Sequence, residues 1–248
     1  MTPLLTFQDL ILGYEGHPAV HHLDGVLEAG SLTALVGPNG SGKSTLLKGI
    51  VGMLRPLGGR IVCSGATAEE IAYLPQQAEI DRSFPASVFD LVSLGLWSRR
   101  GMLGRISAGD RDDINNALTA VGLKGFQRRG IDTLSGGQLQ RALFARVLLQ
   151  DARLILLDEP FTAVDSRTLD DLIAIIRHWH EEKRTIVVVL HDLDLVRAHF
   201  PATLLLARHP VAWGPTRDVL KPENLLRARQ LDERWDEEAP WCHRSEAA

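Results

Sequence analysis

The sequence predicts an α/β fold with a helical block inserted in it, on three observations. Leu32–Val36, Leu154–Leu157 and Thr185–Leu190 are short apolar runs, as expected of parallel strands covered on both faces. Segments with helical apolar spacing separate them, for example Leu169, Leu172, Ile173 and Ile176. Between about Phe84 and Gln150 the strand signals stop and three helix starts follow one another.

Each element has its own local reason. Leu32–Val36 runs directly into Gly37-Pro38-Asn39-Gly40-Ser41-Gly42-Lys43-Ser44-Thr45, and a helix follows with Leu46, Leu47, Ile50, Val51 and Leu54 on one face. Gly58-Gly59 and Gly65 bracket a strand around Arg60–Cys63, and Pro75 stops the strand Ile71–Leu74. In the helical block, Ser87 can cap a helix whose first turn carries Asp90, with Val88, Leu91 and Val92 on its apolar side. Ser107 and Asp110 repeat that start ahead of Ile114, Ala117, Leu118 and Val121. Ser135 opens a third helix with Leu139, Leu143 and Val147 one turn apart. Thr203–Leu206 and Val211–Trp213 read as a closing hairpin, and from Glu223 onward the chain reads as a charged helix and a frayed tail.

Composition bounds the function. The 248 residues are 45% hydrophobic and 23% charged, which suits a globular chain large enough for a sizeable core. A net charge of −4 gives no broad basic surface for nucleic acid. Cys63 and Cys242 are far apart and read as free thiols of a reducing cytoplasm. No signal peptide is evident at Met1–Phe7, and the apolar runs are too short to span a bilayer.

The chemistry-bearing residues fall into a few groups. Glycines in Gly37–Ser44 let backbone N–H groups approach phosphate oxygens, Lys43 supplies positive charge, and Ser44 can ligate Mg²⁺. The run Leu154–Leu157 delivers Asp158, a carboxylate able to hold Mg²⁺, and then Glu159, placed to accept a proton from an attacking water. His191 follows a buried strand and can donate a hydrogen bond to a γ-phosphate. Gln76, or its neighbour Gln77, can reach the metal and the water with its amide oxygen. Tyr14 can stack on adenine. Leu134-Ser135-Gly136-Gly137-Gln138 exposes backbone N–H groups at a helix start, a second anion-holding element in a chain that already has one.

Nearly the whole chain, from Tyr14 to Gly214-Pro215, resembles the ATP-binding subunit of ATP-binding-cassette (ABC) transporters. The resemblance implies a P-loop NTPase (RecA-like) core with a mostly parallel sheet, an N-terminal antiparallel β region and an inserted α-helical subdomain. It makes residues 1–83 and 151–222 the ATP-binding core, 84–150 the helical signature subdomain, and 223–248 a C-terminal helix and tail. Tyr14 becomes the adenine-stacking aromatic and Gly37–Thr45 the Walker A loop. Gln76 becomes the Q-loop glutamine, Leu134–Gln138 the signature, Asp158 and Glu159 the Walker B acids, and His191 the switch histidine. In the D-loop run Pro160–Asp165, Asp165 would face a partner subunit. Two copies would pack head to tail, with each ATP held between one chain's Lys43 loop and the other's Ser135–Gln138.

The wider implication is a homodimeric ATPase, using ATP and Mg²⁺, on the cytoplasmic face of the inner membrane. Its partners would be a polytopic permease and, indirectly, a periplasmic or extracellular metal-binding protein, with no nucleic acid. Tyr73-Leu74-Pro75-Gln76, Phe84-Pro85-Ala86-Ser87-Val88 with Leu94-Gly95-Leu96-Trp97, and Glu159–Asp165 are similar to importers of zinc, manganese or iron, with zinc favoured. Siderophore, haem and cobalamin importers share parts of this pattern, and a soluble ABC-type ATPase is the alternative from another class. A kinase leaves Ser135–Gln138 unexplained. The nine histidines show no metal-ligand spacing, and His17, His21 and His22 read as a solvated turn. Two departures from the family stand out. Leu139 replaces a common polar residue, which suggests an altered surface contact. Arg208-His209-Pro210 lacks the usual glycine, which predicts a looser hairpin.

Overall fold

A computed structural model describes residues 2–101, 104–162 and 164–233. The expected frayed tail, with Cys242 and His243, and Ala163 of the D-loop run lie outside these residues. In chain order the elements are β1 Pro3–Tyr14, β2 His17–Glu28, β3 Leu32–Val36, α1 Lys43–Val51 and β4 Gly58–Cys63. Next come β5 Ile71–Leu74, α2 Val88–Ser93, α3 Trp97–Arg100, α4 Ala108–Ala120, α5 Gly136–Gln150, β6 Leu154–Asp158 and α6 Ser166–Glu181. Then follow β7 Thr185–Val189, α7 Leu193–His199, β8 Ala202–Ala207, β9 His209–Pro215, α8 Thr216–Val219 and α9 Pro222–Glu233. The chain divides into two compact units, residues 1–65 with 187–248 and residues 66–186, so the division falls within β7.

The first unit starts with an antiparallel three-stranded sheet in the order β2-β1-β4. Tyr14 pairs with His17 across a two-residue turn in which Glu15 and Gly16 have φ of 50° and 83°. Positive φ at both central residues matches the right-handed twist of the flanking strands. Leu10, Leu12, Val20 and Leu23 from this sheet are fully buried. β3 pairs in parallel with β8, and β8 returns antiparallel as β9. All five residues of β3 are buried, which is why that run shows no polar alternation.

Two expectations change in this unit. The β8–β9 turn is tight, not loose. Ala207 pairs with His209, and Arg208 alone turns the chain at φ 60°. Its N–H donates to the Ser41 carbonyl and its own carbonyl accepts from the His21 N–H, so two neighbouring segments hold the left-handed residue in place. His17, His21 and His22 lie on β2 rather than on a solvated turn. His21 is buried and stacks on His209 at 4.8 Å between ring centroids, while His22 bonds Asp9 at 2.7 Å.

The second unit holds the parallel pair β5–β6 and the helices α2 to α6. The three expected helix starts are capping boxes: Ser87 with Asp90, Ser107 with Asp110, and Ser135 with Gln138. In each, the serine hydroxyl accepts from the backbone three residues on, and that residue's side chain accepts from the serine N–H. The centre of the unit is α5, which buries Leu139, Leu143, Phe144 and Val147. Phe144 stacks on the buried Trp179 of α6, ring centroids 5.8 Å apart. Leu139 is thus a core residue and makes no surface contact. Among the described residues no helix is long and apolar enough to cross a membrane.

Candidate functional site

In the first unit, β3 ends at Gly37 and α1 begins at Lys43, with the glycine-rich loop between them. Two glycines there are required sterically. A Cβ on Gly37 would lie 1.9 Å from the Leu206 carbonyl oxygen, and one on Gly42 would lie 2.4 Å from that of Ala19. Gly42 also has φ 91°. No side chain caps α1 at this residue, so the backbone N–H groups of its first turn remain directed at the loop. Lys43 is buried, and its ammonium donates to the carbonyls of Gly37 and Pro38 at 3.0 and 2.6 Å. Ser41 is also buried, and its hydroxyl makes no hydrogen bond among the described residues. An orphaned hydroxyl beside an uncapped helix start fits a phosphate-bearing ligand.

His191 lies one residue before Asp192, whose carboxylate accepts from the N–H groups of Asp194 and Leu195 and so starts α7. It is exposed and shares a cleft with Gly37, Pro38, Leu190 and, from α9, Leu225 and Ala228. Tyr14 projects from the β1–β2 hairpin with half of its surface exposed, as a stacking platform requires.

The second unit assembles the acids, the glutamines and the signature. β6 is buried throughout and ends on Asp158, which is fully buried with the Tyr73 hydroxyl 3.5 Å away. Glu159 follows at φ 48°, a left-handed backbone that disfavours a side chain and re-aims this carboxylate as the strand ends. Its Oε1 accepts from the Gln76 amide at 2.7 Å. Gln77 turns elsewhere, its amide donating to the Gly136 carbonyl at 2.8 Å. The two adjacent glutamines therefore have different partners, and Gln76 is the one beside the acid.

Ser135 caps α5 with Gln138, leaving Gly136 and Gly137 in the first turn. Gly137 faces Asp165 and Thr168, since a Cβ there would lie 3.9 and 3.8 Å from their side-chain oxygens. Asp165 caps α6, its carboxylate accepting from the Thr168 N–H and hydroxyl, and these bonds hold its pKa below the usual carboxylate range. No spacing in the sequence marks Arg82, whose guanidinium donates to the Leu134 carbonyl just before the signature serine. Arg146 is likewise unmarked. It is half-buried and donates to the Tyr73 carbonyl at 2.7 Å.

Similarity to known proteins extends over most of the chain. The family model described as ABC transporter matches residues 20–162. A probable metal transport system ATP-binding protein of Chlamydia pneumoniae is 40% identical over 222 residues, 88% of this chain and 86% of that protein. A manganese transport system ATP-binding protein of Synechocystis is 41% identical over 213 residues, 84% of this chain and 82% of the relative. Among solved structures, a metal-chelate type ABC transporter in an inward-facing conformation superposes with a TM-score of 0.81 at 30% identity, covering 92% of this chain and 90% of the other. The chain belongs to the ABC transporter family and is one of its ATPase subunits.

Proposed function

We propose that this subunit powers an importer of divalent metal cations, working as a head-to-tail dimer with each ATP between two copies. Lys43 would exchange the Gly37 and Pro38 carbonyls for the β- and γ-phosphates, with Gly37–Thr45 cradling them and Tyr14 on adenine. The second copy's Leu134–Gln138 would close over the same nucleotide, with Asp165 at the contact between copies. Glu159 would accept the proton of the attacking water while His191 orients it. Ser44, Gln76 and Asp158 would hold Mg²⁺, which would supply positive charge against the charge developing on the phosphates. The buried carboxylate of Asp158 suits such an ion, because a paired charge offsets the cost of leaving water.

Residues 1–83 with 151–222 would be the ATP-binding core, 84–150 the part that carries the signature, and 223–248 an appendage. A polytopic permease would hold the subunit at the cytoplasmic face of the membrane, with a metal-capture protein on the other side. The observation that carries metal import is the 40–41% identity to metal transport ATP-binding proteins over at least 84% of this chain. The similarity to a manganese transport system ATP-binding protein favours manganese over the zinc favoured on sequence alone.

Two experiments test the reading. Glu159→Gln should keep ATP binding, lose about 10²–10⁴-fold in hydrolysis, and accumulate as an ATP-bound dimer in sedimentation velocity. Undiminished turnover would remove Glu159 from the mechanism. A deletion strain grown under separate manganese, zinc and iron limitation should fail first without manganese. Normal growth under all three would end the metal assignment.

A further inference from the structure

Two consecutive residues join the acid to the signature within one chain. Gln76 donates to Glu159 at 2.7 Å, and Gln77 donates to the Gly136 carbonyl at 2.8 Å. Because the two residues share a peptide bond, movement of the first displaces the second. Arg82 adds a second grip on the Leu134 carbonyl, so both backbone acceptors flanking Ser135 are held from the 76–82 segment. The far half of α5 is fixed differently. Arg146 and Gln150 donate to the carbonyls of Tyr73 and Ile71 on β5, at 2.7 and 3.1 Å. The helix is thus pinned to β5 along its second half, while its first turn is held by side chains that follow Gln76.

We infer that Gln77 and Arg82 are positioning residues that carry the state of one ATP site to the signature serving the other. This rests on the two-chain reading proposed above, in which a chain's Glu159 and its Ser135–Gln138 act on different nucleotides. A change of hydrogen bonding at Glu159 as its ATP is consumed would pull Gln76, and Gln77 with it, and re-aim the N–H groups of the signature. The two sites then fire in a coupled manner, and hydrolysis depends on ATP concentration with a Hill coefficient between 1 and about 2, the number of sites setting the ceiling.

The test compares Gln77→Met/Arg82→Leu, which removes both donors, with the single variants Arg82→Lys and Gln77→Lys, each of which keeps a donor at the substituted position. The double variant should bring the Hill coefficient to about 1 while the ATP affinity of the monomer stays unchanged, and the lysine variants should remain cooperative. If the double variant does not fold, Gln77→Met alone is read by the same assay. A wild-type Hill coefficient in the donor-free variant, or a wild type that is itself non-cooperative, overturns the inference. Sedimentation of Glu159→Gln with ATP separates this failure from that of the underlying reading. Absence of a dimer there refutes the two-chain site, whereas a dimer with unaltered cooperativity in the double variant refutes only the role of Gln77 and Arg82.

Discussion

His21 shows what a residue's chemistry becomes once its surroundings are known. Its pKa falls from 6.5 to about 4, first because burial disfavours the charged ring and next because His209 stacks beside it. His209 is lowered too, chiefly by burial. Between these two pH values the unfolded chain binds a proton that the folded chain refuses. Stability should therefore be full above about pH 6.5, decline as pH falls, and stop responding to this group below about 4. Urea denaturation at pH 7 and pH 4.5 measures the decline, and His21→Phe, which keeps a ring in the stack, should flatten it. An equal slope in the variant would show that other groups carry the acid sensitivity. None of this was legible in sequence, because His21 and His209 are far apart along the chain. The placement of Lys43, Asp158 and Glu159 was legible, since each lies on or just after a buried strand at a short fixed offset. Partners reached through space were not, and Arg82 is the clearest case.

At the level of elements, legibility followed locality. Serines three residues ahead of Asp or Gln announced the starts of α2, α4 and α5, because a capping box is satisfied within one turn. The short apolar runs announced β3, β6 and β7, which are buried on every residue. The tight β8–β9 turn escaped notice, because the bonds to Ser41 and His21 that hold the left-handed backbone of Arg208 join segments far apart in the chain. Leu139 escaped for a related reason: the family's usual polar residue suggested a surface, whereas α5 turns this position into the core. A cap makes a quantitative forecast. Ser107→Ala removes the acceptor of the Asp110 N–H and should cost about 0.5–2 kcal/mol in chemical denaturation, with ATP binding by the first unit unaffected. A loss well above that range would mean that Ser107 supports more than α4.

At the level of the whole molecule, a single chain presents two glycine-flanked helix starts of the kind that can hold an anion, at Lys43 and at Gly136. One nucleotide per chain would leave the second of them without a task, and in the proposed dimer a second copy would give it one. Ser135→Arg discriminates between the one-chain and two-chain arrangements. The variant places a long cation at the first turn of α5 and removes the hydroxyl that accepts from the Gln138 N–H. Ser135→Ala, which loses the same cap without adding bulk or charge, controls for helix stability. If the signature completes the site of another copy, Ser135→Arg should abolish ATP hydrolysis while a fluorescent ATP analogue binds the dilute monomer with nearly wild-type affinity. Ser135→Ala should bind alike and retain part of the turnover. Should the arginine variant lose affinity as a monomer, the signature and the Lys43 loop would be holding the same nucleotide in one chain, and the transfer of state through Gln77 and Arg82 would have no second site to act on.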